Sequence, residues 1–274
     1  MVSIVIPAHN EERVLARLLD ALGAGREPGV EIVVVANGCT DTTAEIARQY
    51  PVTVVETPVA SKINALALGD DHVESFPRLY IDGDVVLSIA GVRALCAALT
   101  RGIHATGPIR RVPMTNASLL VRWYYDIWLR LDSTRHELYG RGVLAVDKPG
   151  HDRVTPWRET MSDDLMIAMS FAASERRVVT GAEVVILPPR SYRFLLRRRI
   201  RAMTGNRLLA ADGVDNLRRP QPPGPTLLRL AVRKPWLTPK IALFLTTAVI
   251  AKIGGLIAAH RPTRRWLRDD SSRT

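Results

Sequence analysis

Asp82-Gly83-Asp84 is the stretch of this chain whose residue types and spacing best suit chemistry. It follows the apolar run Leu79-Tyr80-Ile81, and the chain turns apolar again at Val85-Val86-Leu87. Two carboxylates at i and i+2 beyond a strand end both reach one hard cation, and Gly83 lets the backbone turn sharply between them. Oxygen ligands of this kind suit Mg²⁺ or Mn²⁺, with substrate phosphates completing the shell. The competing reading is an ordinary acidic turn, since Asp-Gly is a common turn dipeptide. What decides between them is what the neighbouring elements bring to the same place.

Those elements read as a repeating strand and helix pattern. Val2 to Ile6 is short, apolar and rich in β-branched residues, and Pro7 closes it, as expected of a buried strand. Asn10 is expected to cap a following helix, with Glu11 and Glu12 in its first turn and Val14, Leu15, Leu18, Leu19 and Leu22 on one face. Ile32 to Val35 predicts a second strand, Asn37-Gly38 a turn, and Thr40 a cap for a helix through about Arg48. Val52 to Val55 predicts a third strand, Lys62 to Leu68 a helix and Leu79 to Ile81 a fourth strand. This βαβαβαβ order argues for an α/β fold with a parallel, doubly wound sheet. In such sheets ligands sit beyond the carboxyl ends of the strands. Pro7-Ala8-His9-Asn10, Asn37-Gly38 and Asp82-Gly83-Asp84 each follow a strand, so they are expected to converge at one edge. That convergence favours a metal–diphosphate site over a plain turn. Neither a Gly-x-Gly-x-x-Gly nor a Gly-x-x-x-x-Gly-Lys is present, so a dinucleotide fingerprint and a P-loop NTPase are both unsupported.

At these residues the chain resembles the family 2 glycosyltransferases of GT-A fold. The resemblance runs through Val2 to Glu12, Val35 to Thr43, Asp82-Gly83-Asp84, Ser162-Asp163-Asp164-Leu165 and Arg198 to Gly205, roughly the first three quarters of the chain. It implies a Rossmann-like, mostly parallel sheet with flanking helices and an inverting transfer from a nucleoside-diphosphate sugar, with Mn²⁺ or Mg²⁺ as cofactor. Pro7, Ala8, His9 and Glu11 then line one wall of the donor site, and Asn37 meets the base. Ala36 replaces an Asp common before that position; the Asn amide suits a pyrimidine edge, and a UDP-sugar is the expected donor. Lys62 approaches the donor. Asp82 contacts ribose or metal, Gly83 lines the donor site, and Asp84 ligates the metal.

The resemblance also assigns the acceptor half. Asp164 is the general base, and Asp163 a positioning group, since adjacent helical residues face different ways. The residues alone allow a plainer account, in which Ser162 caps a helix whose first-turn acids answer its dipole. Gly140-Arg141-Gly142 stands where related enzymes place a loop near donor sugar and acceptor, or else is a structural turn. Arg199 and Arg201 keep a family pattern and are placed to clamp the diphosphate or an anionic acceptor. Around them Arg198 replaces a Gln and Ala202 a Trp.

The chain has 274 residues with formal net charge +11, and its Arg and Lys crowd the region after Arg190. Residues 1–210 are read as the catalytic domain, with a nucleotide-binding half to about 110 and an acceptor half beyond. Residues 211–274 are read as a linker, Asp212 to Pro225, and a basic, apolar helical extension. Ile241 to Ala259 is nearly all apolar, interrupted by Lys252 and Gly254-Gly255 and flanked by Trp236, Trp266 and basic residues. Three readings of it compete: a partly inserted or peripheral membrane segment, a helix packed on the catalytic domain, and a self-association element. The expected setting is the cytoplasmic face of the cell membrane, with a lipid-linked or anionic acceptor. Met1 leading straight into a strand predicts no leader, and Cys39 and Cys96 lack metal-ligand spacing, as in reduced compartments. Two other functions compete with this one. A sugar-phosphate nucleotidyltransferase would open with a Gly-rich, Arg-containing loop, which Pro7 to Glu12 is not. A nucleic-acid or membrane-binding module would give no reason for acidic loops at one sheet edge, and no nucleic-acid partner is expected.

Overall fold

A computed structural model describes residues 1–157, 170–211 and 223–259. Strands β1 (Val2–Ala8), β2 (Val30–Asn37), β3 (Thr53–Thr57) and β4 (Arg78–Ile81) lie in the order β3-β2-β1-β4, all parallel. Their β-branched residues alternate between two cores, as a strand with both faces covered requires. Ile4, Ile6, Ile32 and Val34 pack with Leu15, Leu18, Leu19 and Leu22 of α1 (Leu15–Leu22). Val5, Val33 and Val35 pack on the opposite side with Ile63, Ala65 and Leu66 of α3 (Lys62–Asp70). The helix between β2 and β3, α2 (Thr43–Ala47), is short. This is the expected doubly wound half.

Two local expectations fail for identifiable reasons. Pro7 does not close β1; the strand continues to Ala8. Ser3 N–H donates across the β4 side, to Pro77 O at 3.1 Å, and Pro7 faces the same way, but the β1–β4 register ends at Val5–Tyr80. Pro7 therefore removes no ladder donor. Asn10 does not cap its own helix. It adopts φ +53°, which Asn tolerates, and its Oδ1 accepts from Thr40 N at 2.7 Å, so α1 begins later with Val14 at its N-cap.

The second half of the sheet is mixed rather than parallel. The order continues β4-β7-β6-β8-β5, with β5 (Val86–Leu87), β6 (Ala105–Arg111), β7 (Val143–Val146) and β8 (Arg176–Val185). Strand β7 runs antiparallel to both β4 and β6, β6 pairs parallel with β8, and β5 pairs antiparallel with β8. Helices α4 (Ile89–Ala97), α5 (Leu119–Trp128), α6 (Asp132–His136) and α7 (Lys148–Val154) join these strands. The antiparallel β7 places its first residues beside the carboxyl end of β4, which brings the Gly140–Gly142 loop to Asp82.

Helices α8 (Tyr192–Ala211), α9 (Gly224–Arg233) and α10 (Thr238–Ala259) complete the described chain. Leu195, Leu227, Leu237, Ile241 and Phe244 from this region share one buried cluster with Val121, Tyr124 and Tyr125 of α5. Most of the expected linker, Asp212 to Pro225, lies outside the described residues; its last two residues open α9.

Candidate functional site

The loop after β1 and the loop after β2 are sewn together by side chains. Asn37 Nδ2 donates to Ala8 O at 2.8 Å, and His9 Nδ1 lies 2.6 Å from Asn37 O. Glu11 N donates to Thr43 Oγ1 at 2.7 Å, Glu12 N to Asp41 Oδ2, and Thr42 Oγ1 to Glu12 Oε2 at 3.0 Å. Asp41 in turn accepts from Thr43 N at 3.1 Å. Partners some 30 residues apart thus hold one wall whose backbone has little freedom left. Cys39 sits inside it, and burial pushes its thiol up, more than its hydrogen bonds with Asn10 and Thr43 pull it down.

The acidic loop lies against that wall. Gly83 is packed so closely that a Cβ there would stand 3.3 Å from Glu11 Cγ and 3.7 Å from Ala8 Cβ. Lys62, at the start of α3, places Nζ 2.7 Å from Asp82 Oδ1, with both side chains partly screened from solvent. Ser61 caps that helix by accepting from Asn64 N, which fixes where Lys62 projects. On the other side Asp82 N donates to Gly142 O at 2.8 Å. Gly142 has φ +65°, and a Cβ there would meet Asp82 Oδ2 at 3.1 Å and Val85 Cγ1 at 2.7 Å. Only glycine gives both that conformation and that clearance. Pro7, Ala8, His9, Glu11, Asn37, Lys62, Asp82, Gly83, Asp84 and Gly142 therefore meet at one sheet edge.

Two side chains point elsewhere than expected. Asn37 is 3% exposed and donates to Ala8 O, so its amide donor serves the wall rather than a base edge. Arg141 is 2% exposed, and its guanidinium donates to the carbonyls of Glu137, Pro108, Thr134 and Arg135. Burial pushes its pKa down to about 9. It holds the 134–142 loop from behind, while the backbone at Gly142 meets the acidic turn. Arg199 and Arg201 lie on α8, in the layer with α5 and α10, where the charge of Arg199 acts on Tyr124. Asp163 and Asp164 lie outside the described residues.

One cluster escaped the sequence reading. Asp70 accepts from Arg78 Nη1 at 2.7 Å, Tyr80 Oη at 2.8 Å and Trp157 Nε1 at 2.7 Å. Tyr80 Oη also lies 2.9 Å from His151 Nδ1. It braces β4, which carries the acidic loop, against the end of α7. No linear spacing announces it, since Asp70 and Trp157 are 87 residues apart.

An open α/β sheet with a braced acidic loop beyond its fourth strand, and a mixed second half, defines the GT-A architecture of glycosyltransferases. The sequence profile described as glycosyl transferase family 2 matches residues 3–142, and the chain belongs to that family. Over 89 residues it is 42% identical to 4,4'-diaponeurosporenoate glycosyltransferase of Staphylococcus aureus, covering 30% of this chain. The chain spans 24% of that relative's length. Among solved structures, a mannosyltransferase from Pyrobaculum calidifontis in complex with GDP-Man and Mn²⁺ aligns with TM-score 0.61 at 20% identity, over 97% of this chain and 82% of the other. Glucosyl-3-phosphoglycerate synthase from Mycobacterium tuberculosis, in complex with Mn²⁺, UDP and glucosyl-3-phosphoglycerate, aligns with TM-score 0.50 at 19% identity, over 68% and 70% of the two chains.

Proposed function

We propose that this chain transfers a sugar, with inversion, from a nucleoside-diphosphate sugar, a UDP-sugar, to an acceptor hydroxyl or phosphate. The observation that carries the reading is the convergence of the two sewn loops, Lys62 and the Asp82–Asp84 turn, with Lys62 Nζ 2.7 Å from Asp82 Oδ1. The donor set fits a hard divalent cation. Asp82 and Asp84 offer carboxylate oxygens on one turn, the hard donors that Mg²⁺ or Mn²⁺ takes. Asp84, with Asp82, would hold Mn²⁺ or Mg²⁺. When bound, such an ion neutralises charge on the departing diphosphate.

The chain's own residues do the rest. The wall of Pro7, Ala8, His9 and Glu11, strutted by Asn37, receives the nucleoside. Lys62 fixes the Asp82 carboxylate and adds positive charge beside the diphosphate. The backbone at Gly140 and Gly142 borders the sugar and acceptor. Asp164 takes the acceptor's proton as that oxygen attacks the anomeric carbon, and Asp163 orients it. A single displacement of this kind inverts the configuration and needs no protein nucleophile. Arg199 and Arg201 serve an anionic group on the acceptor side. The acceptor is proposed to be lipid-linked or anionic and met at the cytoplasmic membrane face. Support comes from the absence of any acid between Pro188 and Ala211 or between Gly224 and Ala259, stretches that carry many Arg and Lys.

Calorimetric titration of UDP and of GDP, with and without Mn²⁺, into wild type and Asp84→Asn tests the donor site. Metal-dependent binding of UDP in wild type, lost in the variant, is expected. Failure of folded wild type to bind either nucleotide would overturn the assignment.

A further inference from the structure

Helix α10 is long and apolar enough to cross a bilayer: residues 235–258 include a window of mean hydropathy 2.1. Its packing argues for another geometry. Ile241, Phe244, Thr247 and Ala251 are each at most 7% exposed, all on one side. That side is fastened to the catalytic domain. Thr247 Oγ1 lies 2.8 Å from Tyr192 Oη of α8, and Lys240 Nζ lies 2.5 Å from Asp126 Oδ2 of α5. Burial alone would raise the Asp126 carboxyl, but hydrogen bonds from Lys240 and Arg130 outweigh it and hold the pKa low. Gly254 and Gly255 let α8 approach closely: a Cβ at Gly254 would stand 2.8 Å from Ile200 Cδ1, and one at Gly255 2.8 Å from Met203 Cβ.

The opposite side is apolar and open. Leu245, Val249, Ile253 and Ile257, spaced at i, i+4, are between 47% and 57% exposed. Helix α9 repeats the arrangement: Leu227 joins the buried cluster that also holds Ile241 and Phe244, while Leu228 and Val232 are outward and exposed. Trp236, between the helices, is 69% exposed. Arg229, Arg233 and Lys252 are exposed on the same two helices, and no acid occurs between Gly224 and Ala259.

We infer that the outward face of α9, Trp236 and α10 seats in the plane of one leaflet of an anionic membrane, so that α10 lies along the bilayer and does not cross it. This deepens the membrane-facing reading above and rests on it. Crossing would carry the attached α8, with Arg193, Arg197, Arg198, Arg199, Arg201 and Arg207, and α5, with Asp126 and Arg130, into hydrocarbon, where charged side chains are costly. Lying in the plane buries only the apolar side and leaves Arg229, Arg233 and Lys252 to reach anionic headgroups. An in-plane α10 would hold the domain at the leaflet surface, where an acceptor on a lipid is presented.

The full chain is tested by flotation on phosphatidylcholine vesicles with and without phosphatidylglycerol. Single cysteines at 245, 249, 253 and 257 carry an environment-sensitive dye, and depth is read with lipid quenchers. Cys39 and Cys96 are half-buried with thiols pushed up by burial, so the unsubstituted chain serves as the labelling blank. Flotation that requires phosphatidylglycerol, loss of flotation in Val249→Glu/Ile253→Glu with an unchanged melting temperature, and one shallow depth at all four positions are expected. A spanning helix would instead separate positions 245 and 257 by about 18 Å in depth, at 1.5 Å per residue. That progression would overturn the inference, as would absence of flotation, whether the chain then sediments as a dimer through this face or as a monomer. Nucleotide titration on the same preparation keeps the two readings apart: donor binding without flotation sinks only the docking face, and flotation without donor binding sinks only the enzyme reading.

Discussion

Replacing Gly142 by Ala tests whether the loop before β7 positions the acidic turn. The substitution has two costs. A left-handed backbone at φ +65° costs a non-glycine residue roughly 1–2 kcal/mol. The new methyl would also stand 2.7 Å from Val85 Cγ1 and 3.1 Å from Asp82 Oδ2. Carbon atoms settle at about 3.5–4.0 Å, so Val85 must retreat by close to 1 Å, and overpacking of this kind costs about 1–3 kcal/mol. Reduced freedom of the unfolded chain returns about 0.4–1 kcal/mol. Gly140 supplies the control: it has the same φ of +65°, and the nearest atom to an added Cβ is Arg110 Nη2 at 3.9 Å. Gly140→Ala therefore carries the backbone cost alone. The difference between the two variants is the steric part, about 1–3 kcal/mol, which is roughly 2–12 °C in melting temperature at 2–4 °C per kcal/mol for a chain of this size. Because Val85 and Asp82 share one turn, nucleotide affinity in the presence of Mn²⁺ should fall roughly tenfold in Gly142→Ala, about 1.4 kcal/mol, and stay near wild type in Gly140→Ala. Thermal unfolding and calorimetry measure both. Equal melting temperatures for the two variants, with equal nucleotide affinity, would refute the reasoning.

Lys62→Met removes the cation 2.7 Å from Asp82 Oδ1; the fold should lose at most about 1 kcal/mol, as partly exposed pairs do, while metal-dependent nucleotide affinity falls roughly tenfold and Lys62→Arg recovers part of it. Unchanged affinity in Lys62→Met by calorimetry would remove Lys62 from the donor site. His151 gives a pH prediction: burial lowers its pKa, with Arg78 and Lys148 adding to that and Asp70 and Asp152 opposing it. The unfolded chain then takes the proton first, so wild-type stability should decline as pH falls below about 6.5, the ordinary His value. In His151→Gln, denaturant unfolding between pH 7 and 5 should show a shallower decline; parallel curves would show that His151 contributes nothing to it.

The nucleotide-binding half was readable because each unit there is local. β1 to β4 are short β-branched runs separated by helical patterns, and parallel pairing puts their carboxyl ends together without any long-range knowledge. Ala8, His9, Asn37 and Asp82 could therefore be placed at one edge from sequence. Which atoms those residues use could not. Asn37, read as meeting the base, also braces Ala8 through its amide nitrogen, because a buried amide donor takes the nearest carbonyl. Arg141, between two glycines, reads as a site residue, yet its guanidinium answers three carbonyls of its own folded-back loop, Thr134, Arg135 and Glu137, and that of Pro108 on β6. A run of orphaned carbonyls is a property of tertiary structure, and no spacing in the chain records it.

The C-terminal half resisted for a different reason: its helices are apolar on more than one side. Read as a sequence, Ile241 to Ala259 lacks the polar stripe that tells a helix which way to face. Tertiary contacts supply that direction instead. Lys240 meets Asp126, which lies 114 residues earlier. Thr247 meets Tyr192. Gly254 and Gly255, which looked like interruptions of a span, turn out to be where α8 lies closest. With that side taken, the remaining apolar side is no longer an ordinary feature of a helix in a core. It is a surface, flanked by Arg229, Arg233 and Lys252, on a segment without a single acid. Apolar area beside positive charge is the combination an anionic leaflet accommodates, since headgroups take the cations while acyl chains take the side chains. Packing on the domain orients the helix, and the proposed membrane contact falls on the side that this packing leaves exposed.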